Sequence, residues 1–504
     1  MAKQKKPIHA GASGKGGKKR PPFAGRLVAN AESVIIAVIF VLVVRQFTAE
    51  TFNIPTISME PTLLGRPGIR GDRLIADKLY YRWHPVNRWD VTVFKSPIAE
   101  PGGYKGRYIR HMTYIKRMVG LPGEIIEIKH GDIYVTNDEL KNEIPKKPPG
   151  VRNALWFDAV RTEPNRKDFL NQWKYVGEGA APVREADGAV LVDAGGKTAQ
   201  FVCRAKILED TTVAEHKGIY KYIANPAGDV LLEIKCYPEK SGGLLSLELV
   251  EEGNVYILEV PVGEGRTVMK ATIAQPVRDG LEAVAWDGSP REKDVSIRPE
   301  RETTIRFSNA DDRIIAEIDG ETIFEEYAPV QPAYENDDEY EKMEAAGKNL
   351  LSFSVRDASI SIRDLRVYRD IYYLDVLIHP VALRPDMKHE GKDLLLVLVD
   401  RQSGEKALVS RVEGWIVKKQ QDGTQIKMDP ARHLLAGIDP EIQYATKGPY
   451  RIGADEYFAL GDNSPNSKDS RAWQCLKHKH LIGRAVIRFW PLPPFGPFRP
   501  GLVR

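Results

Sequence analysis

The chain has 504 residues, 42% of them hydrophobic, with 73 basic and 69 acidic side chains and a net charge of +4. This length allows more than one core, since single domains mostly run about 100–200 residues, and the nearly balanced charge points to no class of partner. The three cysteines, Cys203, Cys236 and Cys475, argue against a disulfide scaffold or a zinc site. Two interpretations of Cys203 and Cys236 stay open: a disulfide, if that region is exported, and two buried free thiols.

Residues 1–26 form the first segment, which we predict to be a disordered tail. It has no acidic residue and eight basic ones, namely Lys3, Lys5, Lys6, Lys15, Lys18, Lys19, Arg20 and Arg26. A basic block with Gly and Pro cannot bury a core. Nucleic-acid binding is the alternative, but no aromatic platform or helix accompanies the charges, so we do not predict it.

Residues 27–47 are predicted to form a transmembrane anchor. The uninterrupted run of small or apolar residues, Ser33 to Val44, is short, and about 20 residues are reached only by including Asn30, Glu32 and Arg45. A buried core helix and a cleaved secretory signal are the rival interpretations, although the residues around Arg45 make a poor cleavage site. The basic tail places the N-terminus in the cytoplasm and the rest of the chain outside it.

Residues 48–144 are predicted to form the first part of a β-rich core. Strand patterns cover Trp89 to Phe94, Tyr108 to Val119, Glu124 to Lys129 and Ile133 to Thr136. On the second of these strands Tyr114, Lys116 and Met118 share one face. Apolar neighbours on that face can remove solvent from the Lys116 ammonium.

Residues 145–375 are predicted to form an inserted β-sandwich, and residues 376–504 the second part of the core. The insertion opens with Pro145 to Gly150, which has the composition of a linker, and Asp319-Gly320 suits a tight hairpin turn. Alternating runs at short spacing favour a sandwich or jelly roll: Leu244 to Val250, Val255 to Val260, Thr303 to Phe307, Ile314 to Ile318, Thr322 to Glu325, Leu351 to Val355 and Ile360 to Val367. By pattern alone, Ile305 to Phe324 and Ser359 to Tyr368 resemble strands of concanavalin-like lectins and glucanases. The acidic run at 335–341 lacks calcium-loop spacing, so a solvated loop is favoured.

Three motifs carry the chemistry: Phe52-Asn-Ile-Pro-Thr-Ile-Ser-Met-Glu-Pro-Thr-Leu63, Tyr114-Ile-Lys-Arg-Met-Val-Gly-Leu-Pro-Gly123 and Gly461-Asp-Asn-Ser-Pro-Asn-Ser-Lys-Asp-Ser-Arg471. A serine hydroxyl needs a base within hydrogen-bond reach to become a nucleophile. A lysine can be that base near neutral pH if its pKa falls by roughly 2–3 units through burial. Ser58 and Lys116 are therefore a candidate catalytic pair.

These motifs, in this order and after an apolar run, resemble those of the type I signal peptidases, the membrane-bound Ser-Lys endopeptidases that remove signal peptides. The resemblance covers about 27–140 and 449–490. It implies that Ser58 is the nucleophile and Lys116 the general base, and that Ser467 orients the lysine by a hydrogen bond. Thr56 and the Ser58 backbone N–H would form the oxyanion hole, and Asp469 and Arg471 a structural ion pair.

The resemblance also implies a substrate groove lined by Phe52, Ile54, Pro55, Met59, Leu63, Tyr114 and Ile115. Cleavage would follow small residues in an Ala-x-Ala pattern. The partners would be precursor proteins that carry signal peptides and the lipid bilayer of the plasma membrane, with no cofactor and no metal. The distance between the second and third motifs exceeds that usual in the family, because it contains the predicted sandwich.

The sequence therefore predicts a mainly β chain: one anchor, and a signal-peptidase-type core interrupted by a concanavalin-like or jelly-roll-like sandwich. A glycan or protein ligand of the sandwich stays open. One alternative is a catalytically silent envelope protein whose sandwich binds glycan or protein. Another is a self-cleaving regulatory Ser-Lys domain, which would need an internal cleavage site and a DNA-binding domain, and neither is evident.

Overall fold

The fold is that of a computed structural model, which describes residues 31, 34–40, 47–66, 70–98, 100–102, 108–129, 131–205, 207, 227–251, 254–277, 280–286, 289–327, 351–373, 387–390, 396–399, 406–410, 415–419, 425–428, 448–464, 467–493 and 499–504. Residues 34–40 are helical, and their large apolar side chains are exposed. Among the described residues, no helix combines the length and apolar character needed to cross a membrane. The predicted tail, the acidic run at 335–341 and most of the remaining anchor lie outside the described residues.

Residues 49–155 form short strands and helical turns. They are β1 (Ala49–Asn53), a 3-10 turn (Ile57–Met59), β2 (Arg73–Asp77), α1 (Tyr80–Trp83), β3 (Val91–Lys95), β4 (Glu100–Gly102), β5 (Tyr108–Arg110), β6 (Thr113–Gly120), β7 (Ile125–Lys129), β8 (Asp132–Thr136), β9 (Lys141–Glu143) and α2 (Pro149–Leu155).

Residues 157–369 are mostly strands with one further helix. They are β10 (Phe157–Thr162), α3 (Arg166–Gln172), β11 (Trp173–Val176), β12 (Val183–Ala186), β13 (Ala189–Asp193), β14 (Thr198–Cys203), β15 (Val230–Pro238), β16 (Leu244–Glu251), β17 (Asn254–Pro261), β18 (Thr267–Val277), β19 (Gly280–Ala285), β20 (Arg291–Lys293), β21 (Thr303–Ala310), β22 (Arg313–Ile318), β23 (Glu321–Tyr327), β24 (Leu351–Arg356) and β25 (Ser359–Arg369).

The remaining elements are β26 (Met387–Glu390), β27 (Leu396–Val399), β28 (Lys406–Ser410), β29 (Trp415–Lys419), β30 (Gln425–Met428), β31 (Tyr450–Arg451), β32 (Glu456–Leu460), α4 (Ser470–Trp473), β33 (Leu476–Lys477), a 3-10 turn (His478–His480), β34 (Leu481–Trp490) and β35 (Gly501–Leu502).

One sheet joins the two ends of the chain in the order β1-β2-β34-β3-β6-β32-β33, with β35 beside β34. Apolar side chains cover both of its faces, because neighbouring residues on a strand point to opposite sides. Val93 packs with Ile54 and Met59 in one cluster, and its neighbour Phe94 packs with Met118 in another. The strand that carries Lys116, β6, lies between β3 and β32. This central position is what buries the lysine.

Two further eight-stranded sheets enclose the largest apolar core. One has the order β12-β13-β25-β15-β21-β22-β23 with β10 beside β25, and the other β11-β14-β24-β16-β17-β18-β19 with β20 beside β18. Burial alternates along their strands, as in β16 and β17, which is the pattern of a sheet with one face in the core. The architecture is therefore mainly β and includes a sandwich, as predicted.

Each strand predicted from the alternating runs between 244 and 367 corresponds to a strand of the sandwich, within a few residues at the ends. Asp319 and Gly320 have φ of 51° and 83° and join β22 to β23, which confirms the predicted tight turn. The linker prediction for Pro145 to Gly150 is wrong: Lys147 is buried against Asp311 and Asp370, and α2 begins at Pro149. The segment has the composition of a linker, but Lys147 binds the buried carboxylates of Asp311 and Asp370.

Candidate active site

Ser58 lies in the 3-10 turn that follows β1, where its side chain is half-buried. The turn is held from the third motif, because the Asn463 backbone N–H donates to the Ser58 carbonyl (3.2 Å) and Asn463 Nδ2 donates to the Ile57 carbonyl (3.1 Å). Two motifs that are 400 residues apart in sequence therefore meet at this turn.

Lys116 is on the central strand β6, and its side chain is 1% exposed. Its Nζ lies 2.5 Å from Ser58 Oγ and 5.7 Å from the centre of the Tyr114 ring. Burial lowers the pKa of Lys116 to about 8, because removing water disfavours the ammonium; the negative charges of Asp469 and Asp462 oppose this fall. The structure thus brings together a hydroxyl and an amine that can be neutral near physiological pH.

Thr56 is the exposed residue that immediately precedes this turn. Its Oγ1 lies 3.4 Å from Ser58 Oγ. The backbone there is tightly packed, since a Cβ on Gly65 would lie 1.7 Å from the Thr56 carbonyl oxygen. The Thr56 hydroxyl is thus beside the predicted nucleophile, and its part in an oxyanion hole stays a prediction.

Asp469 and Arg471 form an ion pair in which both side chains are fully buried. Arg471 donates from Nε to Asp469 Oδ1 (2.9 Å) and from Nη2 to Oδ2 (2.7 Å). The same guanidinium donates to Ser464 Oγ at 2.8 Å, and Asp469 Oδ2 accepts from the Gly461 N–H at 3.1 Å. The pair therefore ties the loop of the third motif to its own first residue.

Ser467 is buried, but the hydrogen bond to Lys116 that the resemblance implies is not formed. Its Oγ has no hydrogen-bond partner among the described residues. Ser467 packs instead against Gly461. A Cβ added to Gly461 would lie 2.1 Å from Ser467 Oγ and 2.4 Å from the Ser58 carbonyl oxygen. The lysine-orienting role of Ser467 stays a prediction.

The predicted groove residues fall into two sets. Ile54, Met59 and Leu63 are almost completely buried in an apolar cluster, whereas Phe52, Tyr114 and Ile115 are half-buried and Pro55 is exposed. The first set forms the wall behind the site, and only the second has side-chain surface that a substrate could reach in this conformation.

The structure also contains a buried pair that we did not predict. Arg117 donates to Asp462 from Nε to Oδ1 (2.9 Å) and from Nη2 to Oδ2 (2.7 Å), and both side chains are 0% exposed. Asp462 also accepts from Thr62 Oγ1 at 2.5 Å and from the Tyr373 hydroxyl at 3.4 Å. The charged neighbours Arg117 and Asp462 were visible inside the motifs, but Tyr373 had no sequence signal.

Three carboxylates outside this site, those of Asp132, Asp229 and Asp311, offer oxygens within 4.8 Å of one another. Lys147 contacts Asp311, so this acidic group has a cation from the chain itself. The two cysteines left open by the sequence, Cys203 and Cys236, are buried free thiols. Burial raises the pKa of Cys236 to about 12, which makes it a poor nucleophile.

Comparison with known proteins matches the chain to the family described as "Signal peptidase, peptidase S26" over residues 27–181 and 415–490. Similar curated proteins include a probable signal peptidase I-1 of Synechocystis sp. (34% identity; 24% of this chain, 57% of the relative) and a signal peptidase I of Leptolyngbya laminosa (30%; 26% and 60%). A signal peptidase I of Mycobacterium tuberculosis is 41% identical over 17% of this chain and 29% of its own length. The chain thus spans about half the length of the first two relatives.

Solved structures with some likeness include a β-glucanase of Bacillus licheniformis, with 10% identity and a TM-score of 0.27 over 42% of this chain and 99% of that one. A carbohydrate binding module from Bacillus subtilis has 10% identity and a TM-score of 0.24 over 39% of this chain and 95% of that one. The family match covers all three motifs and the residues that meet around Ser58 and Lys116. Over these residues the chain is similar to the signal peptidase family, peptidase S26.

Proposed function

We propose that this protein is a membrane-bound serine endopeptidase that removes signal peptides from exported precursors with a Ser58–Lys116 dyad. The observation that carries the proposal is the 2.5 Å separation of Ser58 Oγ and Lys116 Nζ, combined with the burial that lowers the lysine pKa to about 8. A neutral amine at this distance can accept the serine proton, which an ordinary lysine with a pKa of about 10.4 would do only at alkaline pH.

In the first half of the reaction, Lys116 Nζ takes the proton of Ser58 as Oγ attacks the scissile carbonyl carbon. The oxyanion that forms accepts hydrogen bonds from the Ser58 N–H and the Thr56 hydroxyl, whose Oγ1 is 3.4 Å from Ser58 Oγ. The Lys116 ammonium then returns a proton to the leaving amine, and the peptide bond breaks to leave an acyl-enzyme.

In the second half, Lys116 is again neutral and takes a proton from water, which attacks the acyl carbon. Collapse of this second intermediate releases the signal-peptide carboxylate and restores the Ser58 hydroxyl. The substrate would dock in an extended conformation beside the half-buried residues Phe52, Tyr114 and Ile115, with small residues in an Ala-x-Ala pattern before the cleaved bond.

The anchor proposed at residues 27–47 would hold this site at the outer surface of the plasma membrane, with the N-terminus in the cytoplasm. There the apolar segment of a signal peptide would bring the scissile bond to Ser58. Residues 48–144 and 376–504 would supply the catalytic core, and residues 145–375 the inserted sandwich.

The test is cleavage of a signal-peptide precursor by the purified full chain, compared with Ser58→Ala, Lys116→Ala and the matched surface variant Lys129→Ala. We expect both site variants to lose at least about 10³-fold in kcat and Lys129→Ala to keep full activity. A chain that folds but cleaves no precursor would instead support the silent envelope protein. Cleavage that persists in both site variants would show that other residues carry the activity.

A further inference from the structure

Residues 370–373 connect the sandwich to the candidate site through buried contacts. They follow β25, a strand of the sandwich, and lie outside the ranges matched to the family. Tyr373 is 2% exposed, and its backbone N–H donates to the Gly131 carbonyl at 2.9 Å. Its ring belongs to the apolar cluster that also contains Trp89 and Leu460. Tyr373 is therefore held through both its backbone and its ring.

The Tyr373 hydroxyl reaches a carboxylate whose charge acts on the dyad. It donates to Asp462 Oδ1 at 3.4 Å, and the same oxygen accepts from Arg117 Nε at 2.9 Å. Burial and the negative charge of Asp462 raise the pKa of Tyr373 well above its usual value, so the hydroxyl keeps its proton at neutral pH. Oδ1 thus has one charged donor and one neutral donor, and a change that removes the neutral donor leaves both bonds from Arg117 in place.

The side chains that act on the Lys116 amine come from three parts of the site: Ser58 in the 3-10 turn, Tyr114 on β6, and Asp462, Asp469 and Arg471 in the third motif. Asp469 and Asp462 favour the ammonium, and Arg471 disfavours it. Asp469 is bound by Arg471 within the same motif. Asp462 is instead bound from other parts of the chain, by Thr62, Arg117 and Tyr373. The effect of Asp462 on Lys116 therefore depends on these donors, because each of them offsets part of its charge.

We propose that Tyr373 is a positioning residue for the dyad, whose hydroxyl orients the Asp462 carboxylate and offsets part of the charge that acts on Lys116. The inference rests on the proposed function and goes beyond it, because it gives a residue outside the three motifs a part in the reaction. Without the hydroxyl, the Asp462 carboxylate stays ionised beside Arg117 but presents more negative charge to Lys116. The Lys116 ammonium is then favoured, and less of the neutral base is present near neutral pH.

The experiment is the pH profile of kcat/KM for precursor cleavage by the full chain, from about pH 6.5 to 9.5, in the parent and in Tyr373→Phe. This variant keeps the ring in its apolar cluster and removes only the hydroxyl. We expect the pH at which kcat/KM reaches half of its plateau to rise by about 0.3–1 unit. Activity near pH 7 then falls about twofold to tenfold, while the plateau at high pH stays within about twofold of the parent.

The matched control is Tyr368→Phe, which removes a hydroxyl that donates to Glu233 at 3.2 Å on the sandwich and should leave the profile unchanged. A Tyr373→Phe profile that coincides with that of the parent would overturn the positioning role. So would a loss of folding in urea unfolding, or an equal loss of activity at every pH, either of which would assign the hydroxyl to stability alone. If the proposed function itself fails, neither the parent nor any variant cleaves the precursor. The titration of the Lys116 amine, followed by NMR of ¹⁵N-labelled lysine, should then still show the same upward shift in Tyr373→Phe, and no shift there would overturn the contact.

Discussion

Arg117, the residue after the candidate base, is bound through two hydrogen bonds to Asp462 in the Gly-Asp-Asn-Ser motif. The third donor of the guanidinium, Nη1, binds the Trp89 carbonyl at 2.9 Å. Arg117 therefore fixes β6, which carries Lys116, to the loop after β32 and to Trp89, two residues before β3. The pair is completely buried, and the negative charge of Asp462 acts on Lys116 by opposing the fall of its pKa.

Removing one partner of this pair should be strongly destabilising. Asp462→Leu leaves the Arg117 charge buried without its carboxylate, and we expect a loss of about 3–5 kcal/mol in the free energy of unfolding. The double variant Arg117→Met/Asp462→Leu should lose less than the sum of the losses in Arg117→Met and Asp462→Leu, since no charge is left buried. Urea unfolding of the three variants measures this, and additive losses would contradict the pairing.

The pH dependence of cleavage should follow Lys116. Only the neutral amine can accept the Ser58 proton, so kcat/KM should rise about tenfold per pH unit below about 8 and level off above it. The same pKa affects stability: between about 8 and the ordinary lysine value the unfolded chain binds more protons than the folded one, so stability rises with pH across that window. A flat rate profile from pH 6 to 9 would argue against the lysine as the base.

Substitutions of Thr56 distinguish a role of its hydroxyl in the oxyanion hole from a role in packing alone. Thr56→Val keeps the shape but removes the hydroxyl near Ser58, so we expect a fall of about 10²–10³ in kcat with little change in KM. Thr56→Ser keeps the hydroxyl and should retain most activity. Full activity in Thr56→Val together with a loss in Thr56→Ser would indicate that the methyl group matters and the hydroxyl does not.

Much of the site could be read from short motifs because the residues that do chemistry are close in sequence to the turns that position them. Period-two alternation likewise predicted the strands of the sandwich, and Asp319-Gly320 predicted its turn. Contacts between residues that are distant along the chain have no local sequence pattern from which they could be predicted. Lys147, in a segment with the composition of a linker, binds Asp370 at 2.6 Å, and Tyr373 reaches Asp462 from four residues after β25.

Gly461 is a further residue whose importance depends on three-dimensional contacts. Gly461→Ala would place a methyl group 2.1 Å from Ser467 Oγ and 2.4 Å from the Ser58 carbonyl oxygen, so the third motif must move away from the nucleophile. We expect a loss of at least about tenfold in kcat and of about 1–3 kcal/mol in stability. Gly501→Ala, in β35 where φ is not positive and no atom lies within 4 Å of the added Cβ, is the comparison for stability alone and should leave kcat unchanged. Full activity in Gly461→Ala would show that the contact is not tight in solution.

The carboxylates of Asp132, Asp229 and Asp311 predict a pH dependence of stability opposite in sign to that of Lys116. Burial and the neighbouring charges of Asp311 and Asp312 raise the pKa of Asp132 well above its usual value. A raised carboxyl pKa means that the folded chain binds the proton more tightly, so stability falls as pH rises from about 4 through the raised pKa. Asp132→Asn removes this penalty, and the variant should be more stable than the parent at pH 7 and less dependent on pH.

Asp138→Asn, at an exposed position two residues after the end of β8, should alter stability by less than about 0.5 kcal/mol. Thermal unfolding of the parent and both variants from pH 5 to 8 makes the comparison, with a chelator present so that no divalent cation offsets the carboxylates. If Asp132→Asn is less stable than the parent at pH 7, the Asp132 carboxylate makes a favourable contact. The prediction that its charge destabilises the fold through repulsion by Asp229 and Asp311 would then be wrong.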